Sequence, residues 1–221
     1  MVPSYGRIPV PERHGLLETV AEATIDAPLK SGGEMTALTA LWLPILVSAV
    51  AVFVLSSIIH MTPLWHKNDY PRYPNEDRVL DALRPIAIPP GDYLMPRPAS
   101  PAEMRSPEFQ EKMKRGPALL LTVMPPWSGS LVSNLSWWFV YCVVVSTFAA
   151  FIAGSVLAPG AASVSALCRF AGSTAFLGYT VALWQMTIWY RRSVTMSLKA
   201  TFDGLIFAAV TCAVFTWLWP H

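Results

Sequence analysis

The sequence predicts an all-α membrane protein: four transmembrane helices, with a small mixed α/β or irregular cytoplasmic insert between helices 1 and 2. Three observations carry this. Hydrophobic residues make up 53% of the 221 positions and charged ones 14%, which is too apolar for an ordinary soluble domain of this length. The apolar residues are gathered into four blocks, each near the roughly 20 residues that a helix needs to cross about 30 Å of hydrocarbon. Between the first two blocks lies one long polar interruption, residues 61–133, which holds nine of the sixteen Lys and Arg and eight of the fourteen acids.

Residues 1–34 form a polar tail with scattered prolines and the run Ser31-Gly32-Gly33, with at most one short helix near Leu16 to Ala23. It has no apolar core of its own, so insertion is expected to begin with the first span, within residues 35–60. Thr36 and Thr39 are candidate caps for that span and Trp42 an interfacial anchor. In the insert, Asn75 precedes Glu76 and Asp77 at a predicted helix start. Ser100-Pro101 and Ser106-Pro107 place Pro at the first helical position, and Gly116 supplies a stop. Ala118 to Val123, bounded by Pro117 and Pro125, reads as a strand that could pair with the stretch around Tyr93.

Residues 134–221 hold the other three spans. The second is expected at about Leu135 to Leu157, the third between Ser163 and Tyr190, and the fourth at about Phe202 to Trp219. The short loop at Pro159 makes the second and third an antiparallel hairpin. In the third, Cys168, Ala171, Ala175, Gly178, Ala182, Gln185 and Trp189 recur every three or four residues, which puts them on one helix face. Val143, Ser146, Ala150, Ala153 and Leu157 form a matching row in the second. Small residues let neighbouring backbones approach, and close approach is what holds helices together in lipid, so packing is the plain reading of both rows.

Few residues suggest chemistry. Gln185 lies on the small face, where an amide reads as a hydrogen bond between helices or as part of a polar passage. Asp203 falls in the first turn of the expected fourth span, where the helix dipole favours an acid, although an intramembrane carboxylate can also mark an ion or proton site. His60 and His66 are the one candidate ligand pair, and no second span contributes a histidine, so no metal or other cofactor is assigned. Cys142, Cys168 and Cys212 lie inside apolar blocks without CxxC or Cys/His spacing and are read as packing residues. No phosphate-binding glycine loop, HExxH or GxSxG occurs, so no catalytic residue is named. The net charge of +2, with basic residues interleaved among acids, argues against nucleic acid as a partner.

Four spans place the insert and the Arg191 to Ala200 loop on one side. Nine basic residues in the insert and three in that loop (Arg191, Arg192 and Lys199) face only Arg7, Arg13, Lys30 and Arg169 on the other. The positive-inside bias then puts the insert in the cytoplasm and both termini outside. Arg72, Arg78 and Arg84 are the insert's candidate docking charges.

The strings PPGDYLMP, SPEFQEKMKRGP, WYRRS and KATFDGLIFAAV resemble a group of uncharacterised bacterial multi-pass membrane proteins. With that resemblance the membrane is expected to be a bacterial inner membrane, which makes the outer side given by the charge bias, and so both termini, periplasmic; the resemblance brings no activity, cofactor or site residue. The expected function is a non-enzymatic accessory or anchor protein, embedded in the bilayer. Its insert would dock a membrane or cytoplasmic protein or a second copy of the chain. The alternative is a small channel or transporter subunit using Gln185 and Asp203. Reporter fusions after Arg115 and at the C-terminus should report opposite sides, the first cytoplasmic; a cytoplasmic C-terminus would remove or reverse the four-span topology.

Overall fold

The computed structural model describes residues 35–62, 65–125 and 130–221. The tail helix expected near Leu16 lies outside them, as does the loop at 126–129. A 3-10 turn (Leu38–Leu41) leads into α1 (Trp42–Met61). The insert contributes α2 (Glu76–Leu83), β1 (Gly91–Met95), α3 (Pro101–Met104), α4 (Pro107–Arg115) and β2 (Leu119–Val123). The second span is α5 (Leu131–Gly154). The third is assembled from α6 (Val164–Leu167), a π-helical stretch (Cys168–Gly172), α7 (Ser173–Tyr179), a 3-10 turn (Val181–Leu183) and α8 (Trp184–Tyr190). The fourth is α9 (Val194–Leu218). Leu38–Met61, Leu131–Gly154, Val164–Tyr190 and Val194–Leu218 are each long and apolar enough to cross a membrane.

The first and third spans each pack against both the second and the fourth, so the helices close into a ring in chain order. Short connections make the second, third and fourth spans successive neighbours, and the first span closes the ring by packing on the second and fourth. Alanines make the approach possible. Ala149, Ala150 and Ala153 of α5 and Ala171 and Ala175 of the third span are fully buried, and large side chains such as Leu167, Phe207 and Phe215 fill the space between them. Ser146 is buried too, and donates a long hydrogen bond of 3.4 Å to Ser48, which donates at 3.3 Å to Thr211. Three spans meet at that hydroxyl group.

The small row of the third span does not run its full length. Gly178 is half-buried, with Val145 only 3.0 Å from where a Cβ would stand, but Ala182 and Gln185 are exposed. Thr180, at φ −131 and ψ −51, leaves the helical region, and the following 3-10 turn rotates the chain. A spacing of three and four keeps one face only while the helix has about 3.6 residues per turn, so the face assigned from spacing is lost beyond Thr180.

Two further expectations are corrected. The fourth helix begins at Val194, so Asp203 is not in its first turn, and the role of a helix-start acid does not apply. Cys168 and Cys212 are not two independent packing residues: they form a disulfide between the third and fourth spans, with Cα atoms 4.7 Å apart, while Cys142 is free and buried. The two cysteines stand 44 residues apart in sequence, so only the pairing of these two spans reveals the bond.

In the insert, β1 and β2 pair antiparallel with Tyr93 opposite Leu121. Ser100 accepts from the Glu103 amide and Ser106 from the Phe109 amide, capping α3 and α4, and Gly116 closes α4 at φ +59. Asn75 stands at the start of α2 but makes no side-chain cap bond.

The tightest crossing is that of the third and fourth spans at Gly204, where an added Cβ would overlap the Thr180 hydroxyl and lie 2.9 Å from the Thr180 Cβ. Gly204→Ala should therefore destabilise the detergent-solubilised protein by about 1–3 kcal/mol, the usual cost of overpacking. Leu177→Ala, at an exposed position, should change the thermal midpoint little.

Candidate functional site

The described residues gather one polar cluster around a buried acid, where the insert leaves the first span. Helix α1 ends at Met61, and Trp65 to Asp69 lie against the fourth span. The Trp65 indole donates to Oδ1 of Asp203 at 3.0 Å and sets its ring edge-on to Phe202. His66 Nε2 meets Oδ2 of Asp203 at 2.9 Å, and His66 Nδ1 meets Oδ2 of Asp69 at 2.7 Å. Lys199 donates to the other oxygen of Asp69 at 2.5 Å. The ring of His60 stacks on that of His66 with centroids 4.4 Å apart, and its Nδ1 lies 2.9 Å from the Ser56 carbonyl oxygen.

Local sequence explains half of this arrangement. Lys199 and Asp203 are four residues apart and share a face of α9, and His66 and Asp69 are three apart in one turn. Asp203 is only 3% exposed. An ionised carboxylate removed from water is costly unless its oxygens find partners; here Oδ1 accepts from the Trp65 indole and Oδ2 faces His66 Nε2. For Asp69, burial disfavours the charged form, but the hydrogen bonds from Lys199 and His66 outweigh it and hold the carboxyl below its ordinary value. The row Lys199, Asp69, His66, Asp203 alternates donors and acceptors, and it ties the root of the insert to the fourth span.

The two contacts of His66 constrain its protons. If Nδ1–H donates to Asp69, then Nε2 and Asp203 Oδ2 can hydrogen-bond only when one of them carries a further proton. Without it, two lone pairs face each other at 2.9 Å. His60, His66 and Asp203 each offer one ligand atom, and those atoms lie within 4.8 Å of one another. Asp203 thus supplies from another span the third ligand atom that the His60 and His66 pair lacks in the sequence.

No protein-family model matches this chain, and no curated protein or solved structure proves similar to it.

The other residues named from sequence lie elsewhere. Gln185 is exposed on α8. Ser146, Ala150, Ala153, Ala171 and Ala175 are buried between helices, Gly178 half-buried, and Ala182 exposed. Arg72, Arg78 and Arg84 are exposed on and around α2, where Arg72 reaches Glu76 at 3.5 Å and Arg84 pairs with Asp81. Trp65, Asp69 and Lys199 were not singled out as site residues by sequence reasoning. The i,i+4 pair of Lys199 and Asp203 was a visible signal, but nothing local announces that residues 66 and 203 meet.

Lys199 and Asp69 are mostly buried, with side chains 23% and 13% exposed, so their contact should be measurable. In a double-mutant cycle of Lys199→Met and Asp69→Asn, we expect a coupling of about 0.5–3 kcal/mol in unfolding from detergent micelles. Additive effects would mean that the pair does not hold the insert's root.

Proposed function

We propose that the protein is a non-enzymatic membrane anchor, four spans holding a docking insert at the cytoplasmic face of a bacterial inner membrane. The observation that supports this reading is the surface of the insert. From Glu76 to Val123 it buries one side chain, Phe109, and leaves Ile86, Leu94, Leu119 and Leu120 exposed. A two-stranded hairpin with so little core is marginal alone, and exposed apolar side chains rimmed by charge are the usual chemistry of a protein contact. Its root, by contrast, is fixed by Trp65, His66 and Asp69, so the insert is presented from a defined place.

The orientation rests on the basic residues, and the disulfide agrees with it. Cys168 and Cys212 lie in the half of the bundle nearer the C-terminus, the half assigned to the oxidising compartment. The passage reading gains little from Gln185, which is exposed, or from Asp203, whose oxygens are both engaged.

A partner retained in mild detergent should be lost from the triple variant Arg72→Glu, Arg78→Glu, Arg84→Glu and kept by Gln185→Leu, because rim charges set encounter and partner choice. Ion flux through liposomes containing the wild type, abolished in Asp203→Asn, would replace the anchor with the channel or transporter reading.

A further inference from the structure

We propose that His60, His66 and Asp203 bind one first-row divalent transition-metal ion, of the kind represented by Zn²⁺, where the first and fourth spans meet the insert. This goes beyond the docking reading and does not rest on it. Two imidazoles and one carboxylate are a donor set suited to such ions. Their ligand atoms lie within 4.8 Å of one another, and the His66 to Asp203 edge is already 2.9 Å. A tetrahedral site with bonds of about 2.0–2.1 Å needs edges of about 3.3 Å, within reach of a rotation of the exposed His60 ring.

The neighbours of the three ligands carry the inference further. Ser56 O engages Nδ1 of His60 and leaves Nε2 with the free lone pair. Asp69, steadied by Lys199, engages Nδ1 of His66 and leaves its Nε2 turned to Asp203. The Trp65 indole holds the remaining oxygen of Asp203. Each ligand thus has its own orienting partner, including a carboxylate on a histidine, the arrangement that fixes tautomers at metal sites. A site that served only to neutralise Asp203 would be complete with Trp65 and His66. His60 adds nothing to that pair, yet it brings a third ligand atom within 4.8 Å of the other two. A cation there would take the place of the further proton that the contact of His66 with Asp203 otherwise needs. His60 is itself exposed, so the site opens to solvent on that ligand's side.

The test uses untagged full-length protein in detergent, stripped with chelator, with His14 and His221, the other two histidines, replaced by Gln. Titration with Zn²⁺ in a calorimeter should show one site, and Co²⁺ should give the intense visible absorption of a four-coordinate ion. His60→Gln should weaken Zn²⁺ at least tenfold and abolish the Co²⁺ bands while the metal-free melting temperature stays unchanged. Asp69→Asn should weaken Zn²⁺ by about 10–100-fold, as loss of an orienting carboxylate does. Absence of stoichiometric binding, or equal affinity in the wild type, His60→Gln and Asp203→Asn, would overturn the site. Partner retention by the insert is read separately, so failure of the metal site and failure of the docking reading are distinct results.

Discussion

Lipid offers helices no hydrophobic reason to associate, since the tails around them are as apolar as leucine, so this bundle depends on how closely its spans can approach. Every contact between them reflects that constraint. The second span presents Ala149, Ala150 and Ala153 with no exposed surface, and the third answers with Ala171 and Ala175. Where the third and fourth spans cross, Gly204 lets the Thr180 side chain lie against the α9 backbone. The hydroxyls of Ser48, Ser146 and Thr211 meet at 3.3–3.4 Å, which makes them weak hydrogen bonds and good evidence of tight packing.

That closeness also determines what happens to Asp203. Because α9 starts at Val194, the acid is carried inside the bundle and not left at a solvated helix end. A carboxylate buried there must be met by polar partners, and these come from the stretch that follows the first span. The chain after Met61 therefore folds back, bringing Trp65 and His66 to Asp203 and Asp69 to Lys199. One solvation requirement fixes the root of the insert. The remainder of the insert has no such requirement and packs mainly on itself, through the hairpin and the pair α3 and α4.

How much of this was legible in the sequence follows the range of each interaction. Apolar run length marked four spans, and proline, serine and glycine signals marked α3, α4 and the hairpin, because all of these are set by a few consecutive residues. The small row was legible as far as Gly178 and failed at Thr180, where hydrogen bonding to the Ala200 carbonyl of another span accompanies a break in the helix. Asp203 was visible as an unusual residue, but its surroundings were misjudged by placing the helix start eight residues late. The disulfide and the cluster were hidden for one reason: Cys168 with Cys212, and His66 with Asp203, are brought together only by the ring of spans.

The two ends of the bundle are laced by different chemistry, and the difference bears on orientation. At the end holding the C-terminus, Thr36 donates to the Leu157 carbonyl, the Gly160 amide to Pro220 and the Trp219 indole to Ala158, with a disulfide nearby. At the insert end the ties are charged and aromatic: Lys199, Asp69, His66, Asp203 and Trp65. A disulfide persists where the compartment is oxidising, whereas basic residues are retained on the cytoplasmic side. Redox chemistry and charge distribution are independent criteria, one acting on finished bonds and the other on insertion. Both weigh in the same direction on the proposed orientation, with the insert on the cytoplasmic side.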